Sequence, residues 1–241
     1  MATLHVIRHA QASMFAANYD QLSPLGEQQA RTLGAALAER LVAAGRLGYD
    51  AVYTGPAKRQ RDTAALVVEA LRARGLSVPE PIVLDGANEH DGQHLVMGVL
   101  ARGDHAPELA AMAERAGDPA ADKRQRARDW QRVYEAIMTR WLRGEVAVEG
   151  HESWLDFRAR VLATYELLRR DSTGETLFFT SVGPKAAILH DLLGIPSERA
   201  FELGWRIYNT AITRIIHSGH RATLDGFNDV AHLPLGQWTH R

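Results

Sequence analysis

Thr3-Leu4-His5-Val6-Ile7-Arg8-His9 is the stretch whose reading decides the fold. Residues 3–7 are an apolar run rich in β-branched side chains, which predicts a buried strand ending at Arg8-His9. Working outward, Ser23-Pro24 reads as an N-cap and first helical residue, with Glu27 in the first turn. That helix runs to about Ala44 and stops at Gly45. Residues 50–54 read as a second strand, and 57–74 as a helix closed by Gly75. Residues 81–84 and 176–181 read as further strands. Gly183-Pro184 then opens a helix that stops at Gly194, and 212–216 is a late strand. Strands alternating with helices predict an α/β fold: a three-layer sandwich, its sheet mainly parallel, with helices on both faces and a helical insertion.

The chain has 241 residues, 46% of them hydrophobic, enough for one domain over 1–241 carrying an insertion at about 106–143. That insertion is helical and highly charged, with a break at Gly117-Asp118-Pro119. Trp130, Val133, Tyr134, Ile137, Met138, Trp141 and Leu142 form an apolar stripe at helical spacing, with Arg128, Arg132, Glu135 and Arg140 opposite. A helix packed on the core is the plain reading; a lid or a dimer surface is the sharper one, which leaves room for a homo-oligomer. Lys and Arg number 28 against 29 Asp and Glu, so no overall field favours nucleic acid or an anionic membrane. The absence of cysteine excludes disulfides, thiolate catalysis and Cys-based zinc sites. No apolar run approaches the roughly 18 residues of a membrane span, and the N-terminal one is too short for a signal peptide; a cytoplasmic protein is expected. No G-x-G-x-x-G follows a strand, no Walker-type loop is present, and His90 and His94 match no metal-ligand motif, so neither cofactor nor metal is expected.

The end of an α/β strand faces the crevice where such sheets bind ligands. A neutral imidazole at His9 can attack phosphorus there and carry the group covalently. The transferred group spreads charge over three oxygens, so several preorganised donors are needed. Arg8 is adjacent, with a planar fork that suits phosphate, and Arg59 stands in the first turn of the 57–74 helix. Glu89, in Asn88-Glu89-His90-Asp91-Gly92, offers a carboxyl as general acid, with His90 and Asp91 as competitors. Ser181, Val182 and Gly183 form a strand-to-helix turn whose N–H groups face the crevice, a site for substrate oxygens. Pro184, read as the first helical residue, puts Lys185 second. A cation there opposes the helix dipole by about 0.3–1 kcal/mol unless an anion binds. Lys185 is therefore read as lending charge to the pocket, the plain alternative being a solvated lysine. His105, His151, His190, His217, His220, His232 and His240 are read as structural or exposed.

These segments resemble the histidine phosphatase (phosphoglycerate mutase-like) superfamily. Its Arg-His-Gly motif stands here as Arg8-His9-Ala10, and its Leu-Thr/Ser-x-x-Gly-x-x-Gln-Ala stretch as residues 22–30. Its Ser-x-Pro-Leu-x-Arg-x-x-x-Thr-Ala segment is similar to residues 54–64, with Arg59 as the second phosphate-binding arginine. Gly150-His151-Glu152-Ser153 with Arg160-Val161, and Asn209-Thr210-Ala211-Ile212-Thr213, match its later elements. There are departures: Val182 stands where the family has a second histidine, in a Ser-His-Gly turn. Ala10 replaces a glycine, and Phe15 an asparagine. The loss of one preorganised donor costs about 10²–10³ in rate. The resemblance implies a metal-independent phosphomonoester hydrolase acting on a small phosphorylated molecule through phosphohistidine at His9, weakened by Val182. Mutase-type phosphoryl transfer and a non-catalytic phospho-ligand binding module are the rivals.

Overall fold

Ala2–Arg8 forms β1, one residue longer at each end than the apolar run. The structure is a computed structural model that describes residues 1–12, 20–103 and 106–240; Phe15 and His105 lie outside the described residues. The chain divides into two compact units, Met1–Glu89 with Arg160–Arg241, and His90–Ala159.

In the first unit β1 is followed by α1 (Pro24–Ala43), β2 (Ala51–Thr54), α2 (Lys58–Arg72) and the two-residue β3 (Ile82–Val83). The second unit holds α3 (Gly92–Arg102), α4 (Pro107–Gly117) and α5 (Lys123–Leu142), and α6 (Trp154–Asp171) leads out of it. The first unit resumes with β4 (Glu175–Thr180), α7 (Val182–Leu193), α8 (Ser197–Gly204), β5 (Ile212–Ser218) and β6 (Arg221–Asp229). The six strands lie in the order β3-β2-β4-β1-β5-β6. β1, β2, β3 and β4 are parallel, and β5 and β6 run antiparallel at one side. The sheet is thus mostly parallel, within a mixed α/β fold.

Alternation along the strands builds the core. Ile7, Val52, Leu177 and Phe179 point to one face, where they bury Leu33, Leu37 and Leu41 of α1 and Val67, Val68 and Leu71 of α2. Burying one such side chain is worth about 1.5–3 kcal/mol. α7 packs against β1 and β6, and its Leu189 joins Ile207, Ala211 and Val230 in a smaller core. Because β1, β2 and β4 are parallel, their C-terminal ends share one edge, and His9, Gly55 and Ser181 come out along it.

Within the helical unit Val133, Ile137, Met138, Trp141 and Leu142 are buried, as the stripe requires, while Trp130 and Tyr134 are half-buried. Asp129 of α5 is buried as well, because Arg115 of α4 donates to it at 3.0 Å. β6, α3 and α8 lie outside the sequence expectations. β6 is an edge strand alternating between exposed and half-buried, reached by a hairpin through Gly219 at φ +56; with so little apolar signal its pattern reads as loop.

Candidate active site

His9 follows β1, is 5% exposed, and shows which of its nitrogens can react. Nδ1 lies 2.7 Å from the Ala10 carbonyl oxygen, which can only accept, so Nδ1 carries the proton. Nε2 is then the nitrogen with a lone pair, and the Arg59 Nε–H donates to it at 3.2 Å. Burial, then the charges of Arg59 and Arg8, hold the imidazole well below its usual pKa. The result is a neutral ring with its nucleophilic nitrogen toward the guanidinium.

Arg59 stands at the second position of α2, and its other end is held by a residue the sequence reading omits. Asp20 Oδ1 accepts from Arg59 Nη1 at 2.7 Å, and Oδ2 from the Lys58 N–H at 2.7 Å. The carboxylate serves as cap for α2 and counter-ion for Arg59 together. Only an aspartate in front of Leu22-Ser23 marks it in the sequence.

The motifs around His9 turn out to be clamps on its backbone. Thr63 Oγ1 accepts from the Ala10 N–H at 3.0 Å and donates to the Arg59 carbonyl at 2.7 Å, which explains the Arg-x-x-x-Thr spacing on one helix face. Ser23 caps α1 through the Gly26 N–H and donates to Gln11 Oε1 at 2.8 Å. Gln29 accepts from the Gln11 N–H at 2.9 Å. Gly26 has to lack a side chain, since a Cβ there would lie 2.1 Å from the Gln11 carbonyl oxygen. From the far side, Asn209 Nδ2 donates to the His9 carbonyl at 3.1 Å and the Thr210 N–H to the Arg8 carbonyl at 3.1 Å. Thr210 adopts φ +59 to do so, a conformation costly for a β-branched residue.

Arg8 is buried beside His9. Its Nη1 donates to the Ile207 carbonyl and its Nη2 to the His240 carbonyl at 2.6 Å, so part of the fork is fixed on main chain. Lys185 corrects the sequence reading. α7 begins at Val182, not Pro184, because Ser181 is the N-cap, so Lys185 is the fourth helical residue. It is 1% exposed, and Nζ donates to the carbonyls of Val6 at 3.0 Å and Ala211 at 2.9 Å. The solvated alternative is thereby overturned. Burial, with Arg8 nearby, pulls its pKa well below the lysine norm, and its two bonds go to the backbone that presents Arg8, not to open space.

Glu89 ends a loop held by Arg160 of α6, which donates to the carbonyls of Gly86 at 3.0 Å and Asn88 at 2.8 Å. Its Oε2 accepts from the Gly183 N–H at 3.0 Å, so the carboxyl sits at the N-terminus of α7. Its two rivals have other tasks. Asp91 caps α3 through the His94 N–H, and the His90 ring packs 5.0 Å from Trp141 and 5.5 Å from Phe157. Val182 opens α7, its Cγ1 so close to Gly204 of α8 that a Cβ there would lie 2.9 Å away. The first unit therefore joins His9 to Arg59, and Glu89 to the turn at residues 181–183. Among the described residues, no three His, Asp or Glu side chains converge to hold a metal ion.

A parallel strand edge carrying a buried neutral imidazole and two arginines has the chemistry of a phosphoryl-handling class of site. The model of the histidine phosphatase superfamily (branch 1) matches residues 4–94 and 101–230, and the chain belongs to that family. No curated protein matches the sequence. Among solved structures, YhfR of Bacillus stearothermophilus is similar at 20% identity and TM-score 0.62, over 96% of this chain and 99% of its own. Phosphoglycerate mutase from Bacillus anthracis is similar at 18% identity and TM-score 0.58, over 96% and 94%. A mycobacterial glucosyl-3-phosphoglycerate phosphatase shares 23% identity at TM-score 0.59, over 97% and 100%.

Proposed function

We propose that this protein is a metal-independent phosphomonoester hydrolase that acts on a small phosphorylated molecule through a phosphohistidine on His9. The observation that carries the reading is the lone pair of His9 Nε2, fixed by the Nδ1–H bond to Ala10 and met by Arg59. Nε2 attacks phosphorus as the N–P bond forms and the P–O bond to the leaving group breaks; Glu89 gives its proton to the departing oxygen. Water then attacks phosphorus and gives a proton to Glu89, the N–P bond breaks, and phosphate leaves with His9 neutral again. Arg8 and Arg59 balance the charge on the transferred group. A phosphatase and a mutase share this fold, which supports phosphoryl chemistry.

Val182 favours a second reading, a module that binds a phospho-ligand without turning it over, because an isopropyl group gives no hydrogen bond. Hydrolysis of an aryl phosphate separates the two. The hydrolase turns it over and His9→Ala abolishes this; a binding module takes up vanadate but releases no phosphate. Exchange of phosphoryl groups between phosphoglycerates in place of hydrolysis marks a mutase.

A further inference from the structure

Serine is a favoured N-cap because its oxygen accepts from the N–H of the second or third helical residue. Ser181 caps α7 yet makes no such bond. The third helical residue is Pro184, which has no N–H, and the second, Gly183, gives its N–H to Glu89. Ser181 Oγ instead lies 2.8 Å from Gln60 Nε2. The direction of that bond is fixed. Gln60 Oε1 takes the Ala57 N–H at 3.1 Å, so the other end of the amide is the nitrogen, which only donates. Ser181 Oγ is therefore the acceptor, and its own proton remains to be given; among the described residues nothing takes it.

That proton lies next to the chemistry. Arg8 pairs with Thr180 in the parallel ladder, so the residues one step on, His9 and Ser181, stand on neighbouring chains about 4.8 Å apart. Ile7 and Phe179, two residues before each, lie in the core covered by α1 and α2, and residues two apart share a face. Both side chains thus turn toward α2, which meets them with Arg59 and Gln60. Gln60 is fully buried, a costly place for an amide that had only to cap a helix.

We propose that the Ser181 hydroxyl, turned by Gln60, donates to a phosphoryl oxygen during transfer to and from His9, in place of the donor that Val182 does not offer. The proposal rests on the phosphohistidine reading above. Ser181 is then a catalytic residue and Gln60 a positioning residue that acts through it.

The test compares Ser181→Ala, Gln60→Met, the double variant and Ser181→Thr with the wild type in aryl phosphate hydrolysis and orthovanadate inhibition. One donor to a charged group predicts that Ser181→Ala lowers kcat about 10- to 100-fold and raises the vanadate inhibition constant with it. Gln60→Met should lower kcat in the wild-type background but by less than about twofold in Ser181→Ala. Ser181→Thr, which keeps the hydroxyl, should stay within about threefold of wild type. A fold defect alone lowers the active fraction and leaves the vanadate constant unchanged, which would overturn the proposal. So would a Ser181→Ala enzyme within about twofold of wild type while His9→Ala is inactive. If Ser181→Ala does not fold, Gln60→Met decides by the same two readouts. Loss of the underlying reading is distinguishable, because then His9→Ala retains hydrolysis.

Discussion

The Arg59 Nε–H points at His9 Nε2 across 3.2 Å, so the guanidinium occupies the one ring nitrogen able to attack. In the proposed transfer, that N–H passes from the lone pair to a phosphoryl oxygen as the N–P bond forms, which keeps the arginine in contact throughout. A lysine would keep the charge without the fork. Arg59→Lys should lower kcat/KM about 10²-fold and weaken vanadate inhibition. An Arg59→Lys enzyme with unchanged inhibition would remove Arg59 from the phosphate site.

Asp20 holds the other end of that guanidinium at 2.7 Å and caps α2. Asn keeps the cap, since it ranks with Asp at such positions, but removes the charge that competes with a phosphate dianion. Asp20→Asn should tighten binding of inorganic phosphate about two- to fivefold at low salt, where screening is least. Isothermal titration reads this directly, and weaker binding would mean that Asp20 serves to place Arg59 more than to neutralise it.

His9 should remain neutral well into the acid range, because burial, Arg59 and Arg8 all oppose its protonation. In ¹⁵N spectra of the histidine rings, the Nδ1–H tautomer of His9 should persist from pH 8 to pH 5.5. A ring that protonates near the ordinary value of about 6.5 would show the site to be wetter and less positive than its geometry implies.

His232 gives the fold an acid limit. Its Nε2 lies 3.0 Å from Thr210 Oγ1, whose proton goes to the Asn209 carbonyl, so Nε2–H donates and Nδ1, buried with no partner among the described residues, carries the lone pair. Burial is the main cause that lowers its pKa to about 4. Above about pH 6.5 both folded and unfolded forms are neutral and nothing is lost. Below it the unfolded chain takes up a proton that the folded chain refuses, so stability falls until about pH 4. The loss at pH 5 is about 2 kcal/mol. Urea unfolding at pH 7 and pH 5 should show that difference and a His232→Gln variant much less; equal slopes in the two proteins would contradict it.

Much of this was legible because it depends on local chemistry. β1 and the caps of α1 and α2 follow from apolar runs, Ser23-Pro24 and the closing glycines Gly45 and Gly75. His9 and Arg59 stand at strand and helix ends, where parallel topology gathers side chains. What escaped was long-range or inverted in sense. Asp20 lies 39 residues from the arginine it holds, and Gln60 lies 121 from Ser181. Pro184 reads as a helix start, yet an N-cap serine two residues ahead of Gly183 moves that start to Val182. Lys185 is buried because two carbonyls 179 and 26 residues away accept from it, and no local pattern records them.

Covalent capture of the phosphoryl group on His9 Nε2 tests the central claim most directly. Acid-labile phosphate should be trapped by rapid quenching during aryl phosphate turnover and mapped by mass spectrometry at neutral to alkaline pH. The predicted result is one phosphate on the peptide containing His9, attached at Nε2, and none in His9→Ala. Steady turnover by the wild type with no phosphate on His9, or with the phosphate on another residue, would contradict it.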